Sequence, residues 1–375
     1  MSNSRREFLK AGMLGGVAAA AGLPSLSIAG DSRKSSKPLD ILILGGTGFI
    51  GPHMVREALR RGHSVTLFNR GRTNNTLFPD LETIKGDRAG DLEVLGNREW
   101  HAVVDNSGYM PQYVQNSASK LAPYAGHYIF ISSISAYASF SLPNNEDSPL
   151  ATMADEDAQE FSWEFYGALK ARCERAATEE FDADLLTILR PTFICGPGDH
   201  TDRFTYWPVR TSKGGEMFWP GSPQHEIQII DVRDLANFVV DCVEQRISGT
   251  YNTVTPVESY TMGRMLEDCQ AVTAADIDPV WVDDAFIESF KSADGGKGVS
   301  LPIWHPLTGD AAHVSSVSGE RAVAAGLRNR PVRETIRDLM TWWDTLPEER
   351  IANARFAMDS EQETEIIAAW KDAKA

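Results

Sequence analysis

Short apolar runs alternate with longer amphipathic stretches through the first half of the chain. Residues 39–44 (Leu39-Asp40-Ile41-Leu42-Ile43-Leu44) are almost continuously apolar. A strand covered on both faces has that pattern, because helices pack on either side of a parallel sheet. Residues 49–61 then carry apolar positions at helical spacing. Residues 65–68, 102–104, 128–131 and 185–189 read as further buried strands, and residues 161–180 as one long helix. This rhythm predicts an α/β fold with a doubly wound parallel sheet. After Arg190-Pro191 the periodicity loosens, and residues 196–226 are crowded with Gly, Pro, Trp and Phe. Residues 227–230 and 234–245 read as strand then helix, 318–345 as helical, and 348–375 as a charged amphipathic tail.

Between the first strand and the first helix lies Gly45-Gly46-Thr47-Gly48-Phe49-Ile50-Gly51. Glycines there permit a tight turn and let backbone amides approach a pyrophosphate at the positive end of the helix. The sheet is therefore expected to be of the Rossmann type and to bind a dinucleotide. The second strand ends in Asn69-Arg70-Gly71-Arg72. NAD sites often place an acid here to accept from the ribose 2′-hydroxyl. No acid is present, and Arg70 and Arg72 are suited to a 2′-phosphate, which favours NADP over NAD. Asp87 follows the next strand and is placed to meet the adenine.

Two more segments carry chemistry. Tyr128-Ile129-Phe130-Ile131-Ser132-Ser133 is a buried strand ending in serines, at the edge of the sheet where ligands bind. Tyr166-Gly167-Ala168-Leu169-Lys170 puts a tyrosine and a lysine on one face of a helix. An ammonium beside a phenol is expected to lower the tyrosine pKa toward that of a working general base.

Glycine turn, strand-end serine and Tyr-x-x-x-Lys, in this order, resemble the extended short-chain dehydrogenase/reductases, the NAD(P)-dependent epimerase/dehydratase family. The resemblance spans about residues 39–345 and includes Leu189-Arg190-Pro191-Thr192, Gly196-Pro197-Gly198 and Ile230-Asp231-Val232-Arg233-Asp234-Leu235-Ala236. It implies that Tyr166 is the acid/base, that Lys170 holds the nicotinamide ribose and tunes Tyr166, and that Ser133 orients the reacting hydroxyl or carbonyl. It implies a cofactor-contacting set of Gly45, Thr47, Gly48, Phe49, Ile50, Gly51, Asn69, Arg70, Arg72, Asp87, Ser107, Tyr166, Lys170 and Pro191. It also implies a nucleotide domain over 39–195, a smaller interleaved substrate domain over 196–345, a helical tail over 346–375, and a homodimer through helices of the nucleotide half.

Departures from the family narrow the chemistry. Dehydratases carry Asp-Glu after the strand-end Ser or Thr, whereas Ile134-Ser135 follows Ser133. UDP-sugar epimerases place an arginine seven residues before the Asp of Asp-Leu-Ala, and that position is Ile227. The expected substrate is a small polyhydroxylated molecule, a free sugar or sugar acid. Phe204-Thr205-Tyr206-Trp207-Pro208 and Phe218-Trp219-Pro220 offer rings for stacking on it. Arg203, Arg210 and Lys213 are candidates for an anionic group.

The N-terminus adds a location. Ser4-Arg5-Arg6-Glu7-Phe8-Leu9-Lys10, a Gly/Ala-rich run and Ser27-Ile28-Ala29 resemble a twin-arginine export signal over 1–29, followed by a linker over 30–38. That pathway moves folded proteins, so a periplasmic or extracellular protein with a cofactor loaded before export and tightly held is expected. The apolar run is too short and glycine-rich for a spanning helix, and no stable membrane insertion of the mature chain is expected.

The whole chain of 375 residues has a net charge of −16. The first 29 residues carry Arg5, Arg6 and Lys10 against Glu7, a net +2, leaving about −18 for the rest. Such a charge argues against nucleic acid, where Lys and Arg contacts to phosphate dominate affinity. The alternative reading is a non-catalytic nucleotide- or RNA-binding protein, because RNA-associated plastid proteins share the Gly-Gly-Thr-Gly-Phe-Ile-Gly and Asn-Arg-Gly pattern. The four cysteines, Cys173, Cys195, Cys242 and Cys269, form no CxxC or metal-ligand spacing and read as buried small apolar residues.

Overall fold

In the computed structural model, which describes residues 37–90, 92–153, 160–290, 299 and 301–375, a seven-stranded parallel sheet organises the chain. The segment read as an export signal lies outside the described residues. The strands are β1 (Asp40–Leu44), β2 (Ser64–Asn69), β3 (Thr83–Lys85), β4 (Ala102–Asp105), β5 (Tyr128–Ile131), β6 (Leu186–Pro191) and, after three strands that lie outside this sheet, β10 (Gly249–Thr253). Their order is β10-β6-β5-β4-β1-β2-β3. The order reverses beside β1, between β2 and β4. In such sheets that point, at the carboxyl ends of the strands, is where ligands bind.

The continuous apolar runs are explained by burial on both faces. Ile41 and Ile43 pack with Val65, Leu67 and helix α1 (Ile50–Arg60) on one side. Leu42 and Leu44 pack on the other with Val103, Tyr128 and Phe130, under helices α2 (Pro111–Leu121) and α3 (Tyr166–Glu180). Helix α2 is absent from the sequence expectations because its buried positions, Val114, Ser117, Ala118 and Leu121, form a weak stripe among polar residues. The helix expected over 161–180 starts at Tyr166. A single turn, Trp163–Phe165, precedes it, with the Ser162 side chain accepting from the Glu164 amide.

The second half is assembled differently. The strands β7 (Phe193–Cys195) and β9 (Ile229–Asp231) form one pair, and β8 (Gly215–Pro220) and β11 (Ile277–Val282) another. Their core contains Phe204, Tyr206, Trp207, Phe218 and Trp219, all at most 2 % exposed. These rings are therefore framework, and the expected sugar-stacking role is corrected: no face of them is open to a ligand. The helix Ser360–Lys374 completes this core with Ile366 and Ile367. Its Glu363 accepts from Arg210 Nε at 2.6 Å and from the Phe218 amide at 3.1 Å. Arg210 is thereby engaged within the fold. The helical stretch expected over 318–345 is two helices, Glu320–Ala324 and Val332–Trp343, with Pro331 at the second start. All four cysteines are free and buried. Among the described residues no helix is long and apolar enough to cross a membrane.

Candidate active site

The glycine turn is held by contacts that only glycine allows. Gly45 and Gly46 have φ of +105° and +93°. A Cβ on Gly51 would overlap the Gly46 backbone, so the first turn of α1 sits directly on the loop. Gly48 faces open space. Phe49, which precedes α1, makes no side-chain cap bond, so the first amides of the helix are left for an anion. A backbone cradle with an uncapped helix start fits a dinucleotide phosphate.

Three strand ends frame the adenosine side. Asn69 Oδ1 accepts from the Gly71 amide at 2.8 Å. The Thr47 carbonyl accepts from Asn74 Nδ2 at 2.9 Å, folding the segment after β2 over the glycine turn. Arg70 and Arg72 are exposed and make no ion pair with a described residue. Asp87 Oδ1 accepts from the Ala89 amide at 3.1 Å. Ser107 Oγ donates to the Leu44 carbonyl at 3.2 Å, tying the end of β4 to the end of β1.

A buried clamp that the sequence reading missed fixes this loop. Arg88 donates to Asp105 at 2.7 and 2.5 Å and to Ser117 Oγ at 2.6 Å, while the Tyr128 hydroxyl donates to Asp105 at 2.8 Å. The only sequence signal was an arginine next to Asp87 and an aspartate ending an apolar strand.

Ser133 and Tyr166 meet because of a glycine. A Cβ on Gly167 would strike the Ser135 carbonyl, so the start of α3 lies against the turn after β5. Ser133 Oγ accepts from the Ser135 amide at 3.1 Å, and its hydroxyl lies near enough to the Tyr166 phenol to pull the phenol pKa down. Ser132 Oγ donates to Glu174 at 2.5 Å, and Arg190 Nη2 donates to the same carboxylate at 2.7 Å. This buried network locks α3 to β5 and to β6, where Pro191 is buried beside Arg190.

Lys170 departs from expectation. It is 3 % exposed, and its Nζ donates to the Gly108 carbonyl at 2.8 Å and the Ile131 carbonyl at 2.7 Å. The ammonium stitches the ends of β4 and β5 together beneath the site, and burial lowers its pKa. The Tyr166 phenol is shifted upward rather than downward: burial raises it, the neighbouring Tyr109 adds to this, and the Ser133 hydrogen bond opposes it. The expected lowering by Lys170 is therefore corrected for this arrangement.

Two exposed rings and one half-buried ring crowd the same tyrosine. Trp163, Tyr109 and Phe161 lie with ring centroids 5.4, 6.5 and 6.5 Å from Tyr166. None of the three was singled out from sequence. At the start of α1, His53 Nε2 lies 2.9 Å from the Pro197 carbonyl, and Phe49 packs edge-on to His200 at 6.3 Å. The turn Gly196-Pro197-Gly198 is thus fastened to the helix that follows the glycine loop. Arg203 lies 5.2 Å from the Phe193 ring centroid, and Ile227 is buried in the second core.

Comparisons with known proteins agree with this architecture. The NAD dependent epimerase/dehydratase family matches residues 41–125. The chain is 25 % identical over 235 residues to an epimerase family protein, SDR39U1, of Bos taurus, covering 59 % of this chain and 76 % of that one. It is 28 % identical over 218 residues to the chloroplast stem-loop binding protein of 41 kDa b of Arabidopsis thaliana, covering 54 % of each. Among solved structures, MoeE5 in complex with UDP-glucose and NAD superposes with a TM-score of 0.55 at 18 % identity, over 81 % of this chain and 98 % of that one. At that identity the likeness concerns the fold: this chain shares a Rossmann-type α/β architecture with it.

Proposed function

We propose that this protein is a nicotinamide-dinucleotide-dependent enzyme that oxidises and re-reduces a carbinol carbon of a small polyhydroxylated substrate, as an epimerase or a two-substrate oxidoreductase. The observation that carries the reading is the packing of the start of α3, with Tyr166, against the turn that holds Ser133, at the carboxyl edge of the same parallel sheet that carries the glycine turn. A bound nicotinamide supplies a place to park the hydride. Tyr166 takes the hydroxyl proton as the hydride leaves and returns it afterwards. Ser133 holds the reacting oxygen within reach of the phenol. Lys170 fixes the floor under both. Arg70 and Arg72 support NADP as the cofactor.

The N-terminal segment supports export by the twin-arginine pathway with the nucleotide already bound. A retained nucleotide must end each cycle as it began, which favours epimerisation or alternating substrates. Incubation of the exported protein with a panel of free sugars and sugar acids, without added nucleotide, tests this. The expected result is transient reduction of bound nucleotide by one class of substrate, absent in Tyr166→Phe. Turnover that persists in Tyr166→Phe contradicts the assignment.

The RNA-binding reading draws on the chloroplast relative. The charge of about −18 outside the first 29 residues opposes it. Tight RNA binding at low salt by the purified protein would favour it instead.

A further inference from the structure

The end of β3 holds a cation that the β2 motif does not reveal. In the register of the parallel pair, Lys85 stands beside Asn69, so both end at the carboxyl edge of the sheet. A cavity of about 150 Å³ opens there, between Thr47 of the glycine turn, Asn69, Gly71, Thr76, Phe78 and Lys85. No carboxylate lines it. The Lys85 side chain runs along Gly71, with Cε and Nζ 3.4 and 3.9 Å from where a Cβ on that residue would stand. Gly71 has φ of +68°, so the position favours glycine and leaves the lysine stem room. Lys85 makes no ion pair or hydrogen bond with a described residue.

The charge in the lining of this cavity is one-sided: Lys85 is its charged residue, among threonines and asparagines that both donate and accept. A ribose 2′-hydroxyl is read by an acceptor. Asn69 is the residue at the reading position; one lone pair of its Oδ1 takes the Gly71 amide. It offers a ligand its Nδ2 donor beside the remaining lone pair. A donor and an ammonium suit a phosphate, which has acceptors only.

We propose that Lys85, with Asn69 Nδ2, forms a phosphate subsite on the adenosine side that selects a 2′-phosphorylated nucleotide, and that this β3 lysine rather than Arg70 or Arg72 is its principal anchor. The arginines lie outside the cavity and steer the charged ligand. The proposal rests on the reading of the glycine turn as a dinucleotide site and adds a discriminating residue to it.

The test is calorimetric titration of nucleotide-stripped full-length protein with NADP+ and with NAD+, for the wild type, Lys85→Gln, Arg70→Gln and Arg72→Gln. Lys85 is exposed, so the variant is expected to fold, and an unchanged melting temperature verifies this. The expected result is that Lys85→Gln weakens NADP+ about tenfold or more and leaves NAD+ within twofold, since one charge-assisted bond is lost. Each arginine variant is expected to have a smaller effect that fades at high salt. Wild-type preference for NAD+, or equal loss of both nucleotides in Lys85→Gln, overturns the subsite while leaving the dinucleotide site standing. A larger loss in Arg70→Gln or Arg72→Gln overturns the assignment to Lys85. Binding of neither nucleotide by the wild type removes the underlying reading as well.

Discussion

The two halves of this molecule place their functional surfaces by different means. In the nucleotide half, backbone turns at strand ends make the site, and the strands beneath are uniform apolar runs. In the second half, the framework is a set of large aromatic rings contributed by loops, short strands and the final helix. The first kind of construction repeats a local rule, so it survives being read one segment at a time. The second depends on which rings meet across long sequence distances. The four rings from Tyr206 to Trp219 sit in the same core as Ile366 and Ile367, some 150 residues away.

The largest expected effect separates chemistry from scaffold. Tyr166→Phe is expected to lower turnover about 10²–10⁴-fold, the range for losing a general acid/base, with nucleotide affinity unchanged. Single-turnover kinetics and nucleotide titration on the same preparation check this. A comparable loss of nucleotide affinity would merge the catalytic and binding roles that the fold keeps apart.

The next concerns the contact that brings Tyr166 to Ser133. Gly167→Ala gains helix propensity, worth about 1 kcal/mol in an open helix. Here the new methyl meets the Ser135 carbonyl, and α3 must shift. We expect turnover to fall at least tenfold while the protein stays folded, measured by kinetics beside thermal melting. Unimpaired turnover would mean that the serine–tyrosine contact is dispensable.

Trp207→Ala addresses the other half. Its side chain is fully buried against Trp219, with ring centroids 5.0 Å apart. The loss is expected to be about 3–5 kcal/mol of stability, read by denaturant unfolding. Nucleotide affinity of the folded protein is expected to hold within a few-fold. If binding collapses instead, the halves are more tightly coupled than their separate cores suggest.

The smallest effect is acid sensitivity. Burial lowers His53 and His127 from 6.5 to about 4. Each is neutral when folded and takes up a proton on unfolding near pH 6. Their contribution is present above about pH 6.5 and is lost as pH falls toward 4, on the order of 1–2 kcal/mol each by pH 5. The slope of stability against pH between 6.5 and 5 is expected to shrink in His127→Asn. An unchanged slope would place the acid sensitivity elsewhere.

These contrasts explain what was legible in the sequence. Strands β1, β2, β4, β5 and β6 were readable because burial on both faces leaves a continuous apolar signature. The glycine turn, Ser133 and Tyr166 were readable because their spacing is fixed by local backbone geometry. Lys85 was not, because its place beside Asn69 is set by strand register. Nor was Arg88, whose partner Asp105 lies across the sheet edge. The pairing of Tyr166 with Lys170 was anticipated from helical spacing alone. Two backbone carbonyls, which leave no trace in a sequence pattern, claim the ammonium instead. Phe161 and Trp163 belong to an aromatic segment, 161–166, as dense as the buried one at 204–208, so ring density in the sequence does not tell core from surface.

The central claim is that the edge of this sheet holds a nicotinamide dinucleotide beside Tyr166. The most direct test is to denature the purified, mature exported protein and identify released nucleotide by mass spectrometry and absorbance. The account predicts close to one NADP(H) or NAD(H) per chain. An empty protein that also fails to bind either nucleotide when titrated would contradict it.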